Sequence, residues 1–223
     1  MPSRRPLAVV LDMDGTLLDT EPLASRAWGD AAAAVGVTFD AALPDRLIGR
    51  NFADCRALIA AHHGDRYPVD ALMAAWHAAY DAIVEREGLS LKPGVLALFD
   101  WLDAEGVPRA VATSTRRRRA LAKLERVELS SRLDALVGGD EVARGKPAPD
   151  IFVTAAARLA VDPADCLAVE DSDAGVRAAL AAGMTAAMVP DLLPPGPAIV
   201  GLGARVHRSL GDLVAHLDRL PRR

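Results

Sequence analysis

The chain has 223 residues, 51% of them hydrophobic, and a formal net charge of −4 at neutral pH. That length buries one sizeable core, or a core with a smaller satellite, without disulfide staples. The slight acidity gives no general attraction for nucleic acid, and no segment approaches the ~20 uncharged apolar residues that would cross a bilayer. The two cysteines, Cys55 and Cys166, lie far apart in apolar stretches, which argues against a secreted disulfide framework and for a reducing cytoplasm. Met1–Pro6 carries two arginines but runs straight into a short apolar strand rather than a signal-type h-region. The expectation is a soluble, unprocessed, monomeric protein with a small-molecule substrate and neither a nucleic-acid nor a membrane partner.

In chain order, the short apolar β-type runs are Leu7–Leu11, Arg109–Thr113, Ala135–Val137, Cys166–Val169 and Thr185–Val189. From the second onward they alternate with helical patterns at Arg116–Glu125, Asp150–Leu159 and Ala174–Ala182. That alternation predicts an α/β fold, a Rossmann-like parallel sheet with helices on both faces. The stretch between Leu11 and Arg109 is far longer than one crossover helix requires, and it is rich in Ala, Leu, His and Trp at helical spacing. A helical insertion explains it, with edges at the turn-forming residues Asp19–Pro22 and Gly88–Leu91, before Lys92-Pro93-Gly94 starts the helix that returns to the sheet. Residues 1–19 and 89–223 then form the core and 20–88 a cap. Pro194-Pro195-Gly196-Pro197 reads as a loop ahead of a last helix near Leu210–Leu217.

In an open parallel sheet, ligands sit outside the carboxyl ends of the strands, near the point where strand order reverses. There the first run ends in Asp12-Met13-Asp14-Gly15-Thr16, and the fourth in Glu170-Asp171-Ser172. Two acids in one tight turn repel unless a cation or substrate compensates them. Either pair alone reads equally as helix capping, whereas both together point to a hard cation such as Mg2+, which takes carboxylate oxygens and substrate phosphate. Thr113, Ser114 and Thr115 end the second run with hydroxyl and N–H donors at a helix start, a ready anion site. Lys146, in Gly145-Lys146-Pro147-Ala148-Pro149-Asp150, follows the third run, where two prolines restrict the backbone around its ammonium group. The run Arg116–Arg119 reads as a solvated helix face, or as a source of arginines (Arg116 or Arg117) for an anionic substrate.

Phosphate-monoester hydrolysis needs many such parts: its acceleration reaches ~10²¹-fold, roughly 29 kcal/mol, while a general acid supplies ~10²–10⁴-fold and one oriented donor ~3–4 kcal/mol. A carboxylate nucleophile divides the displacement into two steps, with a cation and a lysine screening its charge from the phosphate.

These residues, in this order, resemble the haloacid dehalogenase superfamily, specifically its phosphatases with a helical cap inserted after the first strand. The carrying motifs are Asp12 to Glu21, Val111-Ala112-Thr113-Ser114, Gly145-Lys146-Pro147 and Val169-Glu170-Asp171-Ser172. The resemblance implies that Asp12 is the nucleophile and a metal ligand. It implies that Asp14 protonates the leaving alkoxide, later deprotonates water, and reaches the metal through its carbonyl. Asp171 would bind Mg2+, with Glu170 as a further ligand or an orienter behind it. Thr113 and Lys146 would hold phosphoryl oxygens, with Gly15, Ser114, Thr115 and Arg116 completing the phosphate surroundings.

Asp14 also separates reaction classes, because a halide leaves without a proton and an alkoxide does not. Membrane-pumping ATPases share a related aspartate motif but need membrane spans. The nearest rival is β-phosphoglucomutase, similar in cap and core. Its cap-side histidine falls at Ala24 and its distal-phosphate arginine near Phe52, so phosphoryl transfer to water is favoured over mutase chemistry. A catalytically idle phospholigand binder is the other alternative. In the cap, Leu47-Ile48-Gly49-Arg50-Asn51 resembles the loop that faces the site in related enzymes, giving Arg50 and Asn51 as candidate substrate contacts. Met184–Asp191 and Ala112–Ser114 are similar to the pseudouridine-monophosphate phosphatase branch. His62-His63-Gly64-Asp65 reads as a helix end rather than a metal cluster, and Trp28, Trp76 and Trp101 as packing residues.

Overall fold

The computed structural model describes residues 4–40, 42–64, 66–196, 199 and 201–222. Expectations that touch Met1–Ser3, Asp65 and Pro197 lie outside the described residues.

Six strands form one parallel sheet: β1 (Ala8–Leu11), β2 (Arg109–Ala112), β3 (Ala135–Val137), β4 (Cys166–Glu170), β5 (Thr185–Met188) and β6 (Arg205–Val206). Their spatial order is β3-β2-β1-β4-β5-β6. The central strands are continuous apolar runs because both faces are covered, as a parallel sheet requires. Alternate residues of β1 point to opposite cores. Val9 and Leu11 pack against α5 (Val95–Glu105), α6 (Arg117–Arg126) and the C-terminal helix α9 (Leu210–Asp218), through Phe99, Leu124 and Leu213 among others. Ala8 and Val10 pack against α7 (Asp150–Arg158) and α8 (Asp173–Ala181), through Phe152, Ala155 and Val176. β6 escaped the sequence analysis because two exposed residues carry no apolar run; its backbone pairing with β5 creates it.

Among the described residues, four helices lie between β1 and α5: α1 (Glu21–Val35), α2 (Leu43–Leu47), α3 (Phe52–His63) and α4 (Val69–Glu87). They bury an apolar cluster of their own around Trp28, Leu43, Ile59 and Leu72. α3 ends at His63 with Gly64 at φ 85°, so the histidine pair is a helix terminus. The two chain segments that join these helices to the sheet run side by side. Leu18 bridges Leu91 antiparallel, Asp19 N–H donates to Ser90 O (2.9 Å) and Lys92 N–H to Leu17 O (2.9 Å). That double connection sets the helical insertion over the carboxyl ends of β1 and β4, where the strand order reverses.

Candidate active site

β1 and β4 pair in register, Leu11 against Val169, and Asp12 N–H continues the ladder to Val169 O (2.9 Å). This brings the two acidic turns together although 158 positions separate Asp12 from Glu170 in the numbering. One oxygen each from Asp12, Glu170 and Asp171 lie within 4.8 Å of one another, and all three residues are buried. The turn after Asp12 closes through Leu17 N–H and Leu18 N–H, both donating to Met13 O (2.9 Å). Gly15 takes φ 85°, and a side chain there would also run into the Asp171 carboxylate.

Lys146 arrives from the loop after β3 and is 1% exposed. Its ammonium group donates to Asp12 Oδ1 and to Glu170 Oε1, the latter at 2.6 Å. The other oxygen of Glu170 accepts from Asp171 N–H (3.1 Å), Ser172 N–H (3.1 Å) and Ser172 Oγ (2.9 Å). Glu170 is therefore held by protein donors on both oxygens. Asp171 differs: it accepts from Thr16 Oγ1 at 3.1 Å but has no cationic side chain against it among the described residues. Burial raises its carboxyl well above the ordinary range, and Glu170 and Asp12 push the same way. Asp12 is raised as well, by burial first, with Lys146 opposing and Glu170 adding. Three buried carboxylates around one ammonium leave a local excess of negative charge. An all-oxygen set of this kind, with Asp171 lacking a counter-charge, fits a hard divalent cation.

Asp14 sits on the other side of the turn. Its Oδ1 accepts from Thr20 Oγ1 (2.9 Å) and Lys123 Nζ (2.7 Å), and its Oδ2 from Thr115 Oγ1 (2.7 Å). Burial alone would raise its carboxyl, but Lys123 and the two hydroxyls outweigh that and hold it below the usual carboxylate range. Lys123, Thr20 and Thr16 were not singled out from the sequence. The available signal was spacing: Arg116, Arg119, Lys123 and Arg126 fall on one stripe at steps of three and four residues, and the stripe faces the insertion.

The remaining expected residues distribute unevenly. Thr113 is 1% exposed, its N–H bonded to Val137 O and its Oγ1 accepting from Thr115 N–H (3.1 Å). Ser114 Oγ donates across to Gly49 O (2.9 Å), so the insertion's glycine loop does meet the sheet end. Gly49 has φ 74°, and a Cβ on it would lie 2.7 Å from Ser172 Oγ. Arg50 lines the cavity but its Nε caps Arg46 O (2.9 Å). Asn51 caps α3 by accepting from Asp54 N–H (2.9 Å) and abuts Gly145 rather than the cavity. Arg116 and Arg117 are exposed. The Arg116 guanidinium lies 5.5 Å from the Phe52 ring centre, whose plane stacks on His77 at 5.3 Å. Together with Asp12, Asp14, Thr113, Trp76 and Tyr80, these groups line a cavity of about 190 Å³ between sheet end and insertion.

The model of the haloacid dehalogenase-like hydrolases matches residues 6–183, a span that contains every one of these groups. The chain belongs to that family. Among relatives of this hydrolase, (DL)-glycerol-3-phosphatase 1 of Arabidopsis thaliana is 38% identical over 197 residues; the match takes in 82% of this chain but only 63% of that protein. β-Phosphoglucomutase of Bacillus subtilis is 34% identical over 185 residues, 80% of this chain and 81% of its own. A crystal structure of CbbY from Rhodobacter sphaeroides in complex with xylulose-1,5-bisphosphate superposes with a TM-score of 0.80 at 28% identity, covering 93% of this chain and 96% of that one.

Proposed function

We propose that this haloacid dehalogenase-like hydrolase is a Mg2+-dependent phosphatase that cleaves small phosphate monoesters, of sugars, polyols or nucleotides, through a phosphoaspartate on Asp12. The observation that carries the reading is the cluster of Asp12, Glu170 and Asp171, buried together, with Lys146 paired to the first two and no salt bridge to Asp171 among the described residues. Asp12, the carbonyl of Asp14 and Asp171 would hold the ion, which supplies charge screening between an anionic nucleophile and an anionic phosphoryl group. Glu170, saturated by Lys146 and three protein donors, acts as the orienter behind that set.

In the first half-reaction a free Asp12 oxygen attacks phosphorus while Lys146 fixes the other one. The bond to the leaving oxygen breaks, and a proton from the Asp14 carboxyl passes to that oxygen. In the second, water attacks phosphorus, Asp14 takes its proton, and the Asp12–phosphorus bond breaks to release phosphate. Asp14 is ionised at rest through Lys123, and a phosphate dianion entering beside it shifts the balance toward its protonated form. Thr113, Ser114, Thr115, Gly15 and Arg116 would surround the phosphoryl group, and residues 20–88 would close over residues 1–19 and 89–223 as a cap.

Hydrolysis is favoured over mutase chemistry by Phe52, whose ring is engaged by His77 and Arg116 at the position where a second phosphate grip would stand. Two buried free thiols, Cys55 and Cys166, support work in the cytoplasm. Phosphate release from p-nitrophenyl phosphate, with Mg2+ and with EDTA, tests the reading. The expected result is turnover that EDTA abolishes. Isomerisation of β-glucose 1-phosphate without phosphate release would favour the mutase instead, and binding without turnover the idle protein.

A further inference from the structure

Lys123 is a largely buried cation to which the mechanism above gives no part beyond keeping Asp14 ionised at rest. It lies on α6 of the sheet region, its side chain is 14% exposed, and its ammonium touches two partners from different parts of the molecule. One is Asp14 Oδ1 at 2.7 Å; the other is the ring of Tyr80 on α4, 4.8 Å from the centroid. On either side of it along α6, Arg119 pairs with Asp81 and Arg126 pairs with Glu85 (2.6 Å), so α6 and α4 are joined at three successive turns. Only the middle link of the three reaches the sheet-end carboxylates.

A carboxylate offers about four lone-pair positions. Thr20 and Lys123 occupy both of those on Oδ1, and Thr115 occupies one on Oδ2. Among the described residues, a single position, on Oδ2, is left open. We infer that Lys123 is a positioning residue for Asp14: with Thr20 it saturates Oδ1, so that Oδ2 alone carries the transferable proton, and through Tyr80 it ties that orientation to the placement of α4. The inference rests on the reading of Asp14 as proton donor. In the first half-reaction the Asp12–phosphorus bond forms, the phosphorus–oxygen bond breaks with its electron pair left on the leaving oxygen, and the Oδ2 proton moves to that oxygen. Without Lys123 the carboxyl is free to turn its proton-bearing oxygen away, and an acid out of hydrogen-bond reach cannot assist the departure.

Phenyl phosphate and p-nitrophenyl phosphate test this, because the two esters are nearly the same shape while phenoxide needs a proton far more than nitrophenoxide does. Values of kcat/KM are measured with Mg2+ for the parent, Lys123→Met, Lys123→Gln, Tyr80→Leu and Asp14→Asn. In Lys123→Met the phenyl ester is expected to lose roughly 10-fold more than the nitrophenyl ester, with Tyr80→Leu moving the ratio the same way by less. A merely structural lysine would lower both esters equally, and that result overturns the inference. Should Lys123→Met not fold, the ratio in Lys123→Gln and Tyr80→Leu decides, an unmoved ratio again being contrary. If Asp14→Asn shifts the ratio and the lysine variants do not, the role of Lys123 falls while the phosphatase reading stands. A parent that releases no phosphate from either ester overturns the phosphatase reading itself.

Discussion

The sheet end and the helical insertion face one cavity but are built on opposite principles. At the sheet end, Asp12, Lys146, Glu170 and Asp171 are nearly or wholly removed from water and answer one another through short contacts fixed by backbone turns. In the insertion, the cavity wall is Trp28, Phe52, Trp76 and Tyr80, stacked on neighbours, and its charges pair near the rim, Asp81 with Arg119 and Glu85 with Arg126. Buried unlike charges cost much when one partner is removed, whereas exposed pairs contribute little. The proposed chemistry is thus located where substitution is expensive, and the part proposed to meet the leaving group is where it is cheap.

The strongest way to break that contrast is Asp12→Asn, which keeps shape and removes the nucleophile. It is expected to lower kcat by at least about 10³-fold while leaving the thermal midpoint close to the parent's, because Lys146 keeps its pair with Glu170 and a neutral amide relieves the crowding of three buried carboxylates, so no charge is stranded. An active Asn variant would mean that the sheet end is structural. Lys146→Met comes next. It strands two buried carboxylates, so the denaturant midpoint in EDTA should fall by an amount equivalent to about 3 kcal/mol, and kcat by about 10²-fold. Added Mg2+ should restore part of the stability but not the rate; equal loss with and without the ion would argue that no cation is held there.

Glu21 lies between the two regions, at the start of α1. Burial pushes its carboxyl up to about 7, with Asp14 and Asp191 adding and Lys123 and Lys92 opposing. The folded protein therefore holds a proton that the unfolded chain releases, and this contribution to stability, intact below about pH 4.5, is lost as pH rises through 7. Glu21→Gln should flatten that loss and gain about 1–2 kcal/mol over the parent at pH 8, read from denaturant midpoints across pH 4–8. The smallest effects belong to the rim. Arg119→Ala and Arg126→Ala should each cost about 0.2–1 kcal/mol, and in the parent, raising salt should lift KM more than it lowers kcat. Losses as large as that of Lys146→Met would erase the distinction between the regions.

How much of this was legible follows the same division. Asp12, Asp14, Thr113, Glu170 and Asp171 stand at or beside strand ends that short apolar runs mark in the sequence, so the strand pattern gathers them; Lys146 lies well beyond the end of β3 and was legible through its Gly145-Lys146-Pro147 motif. The five longer strands and α7 to α9 were found within a residue or two, since each is a plain apolar period. Lys123 was not, because a lysine in a basic helix reads as solvated until the helix facing it is known. Nor were Thr16 and Thr20, whose hydroxyls gain meaning only from the carboxylates that fold back onto them. Asn51 resembled a substrate contact in a loop motif, but its side chain is committed to capping α3. Contacts across the cavity depend on two helices that share no sequence neighbourhood.

Acid-quenching the enzyme during turnover with Mg2+ and a phosphate monoester, followed by mass analysis of its peptides, tests the proposed chemistry most directly. A phosphoryl increment is expected on the peptide that carries Asp12, absent in Asp12→Asn. Full turnover with that peptide unmodified at every quench time, or with the increment on another residue, would contradict the role given to Asp12.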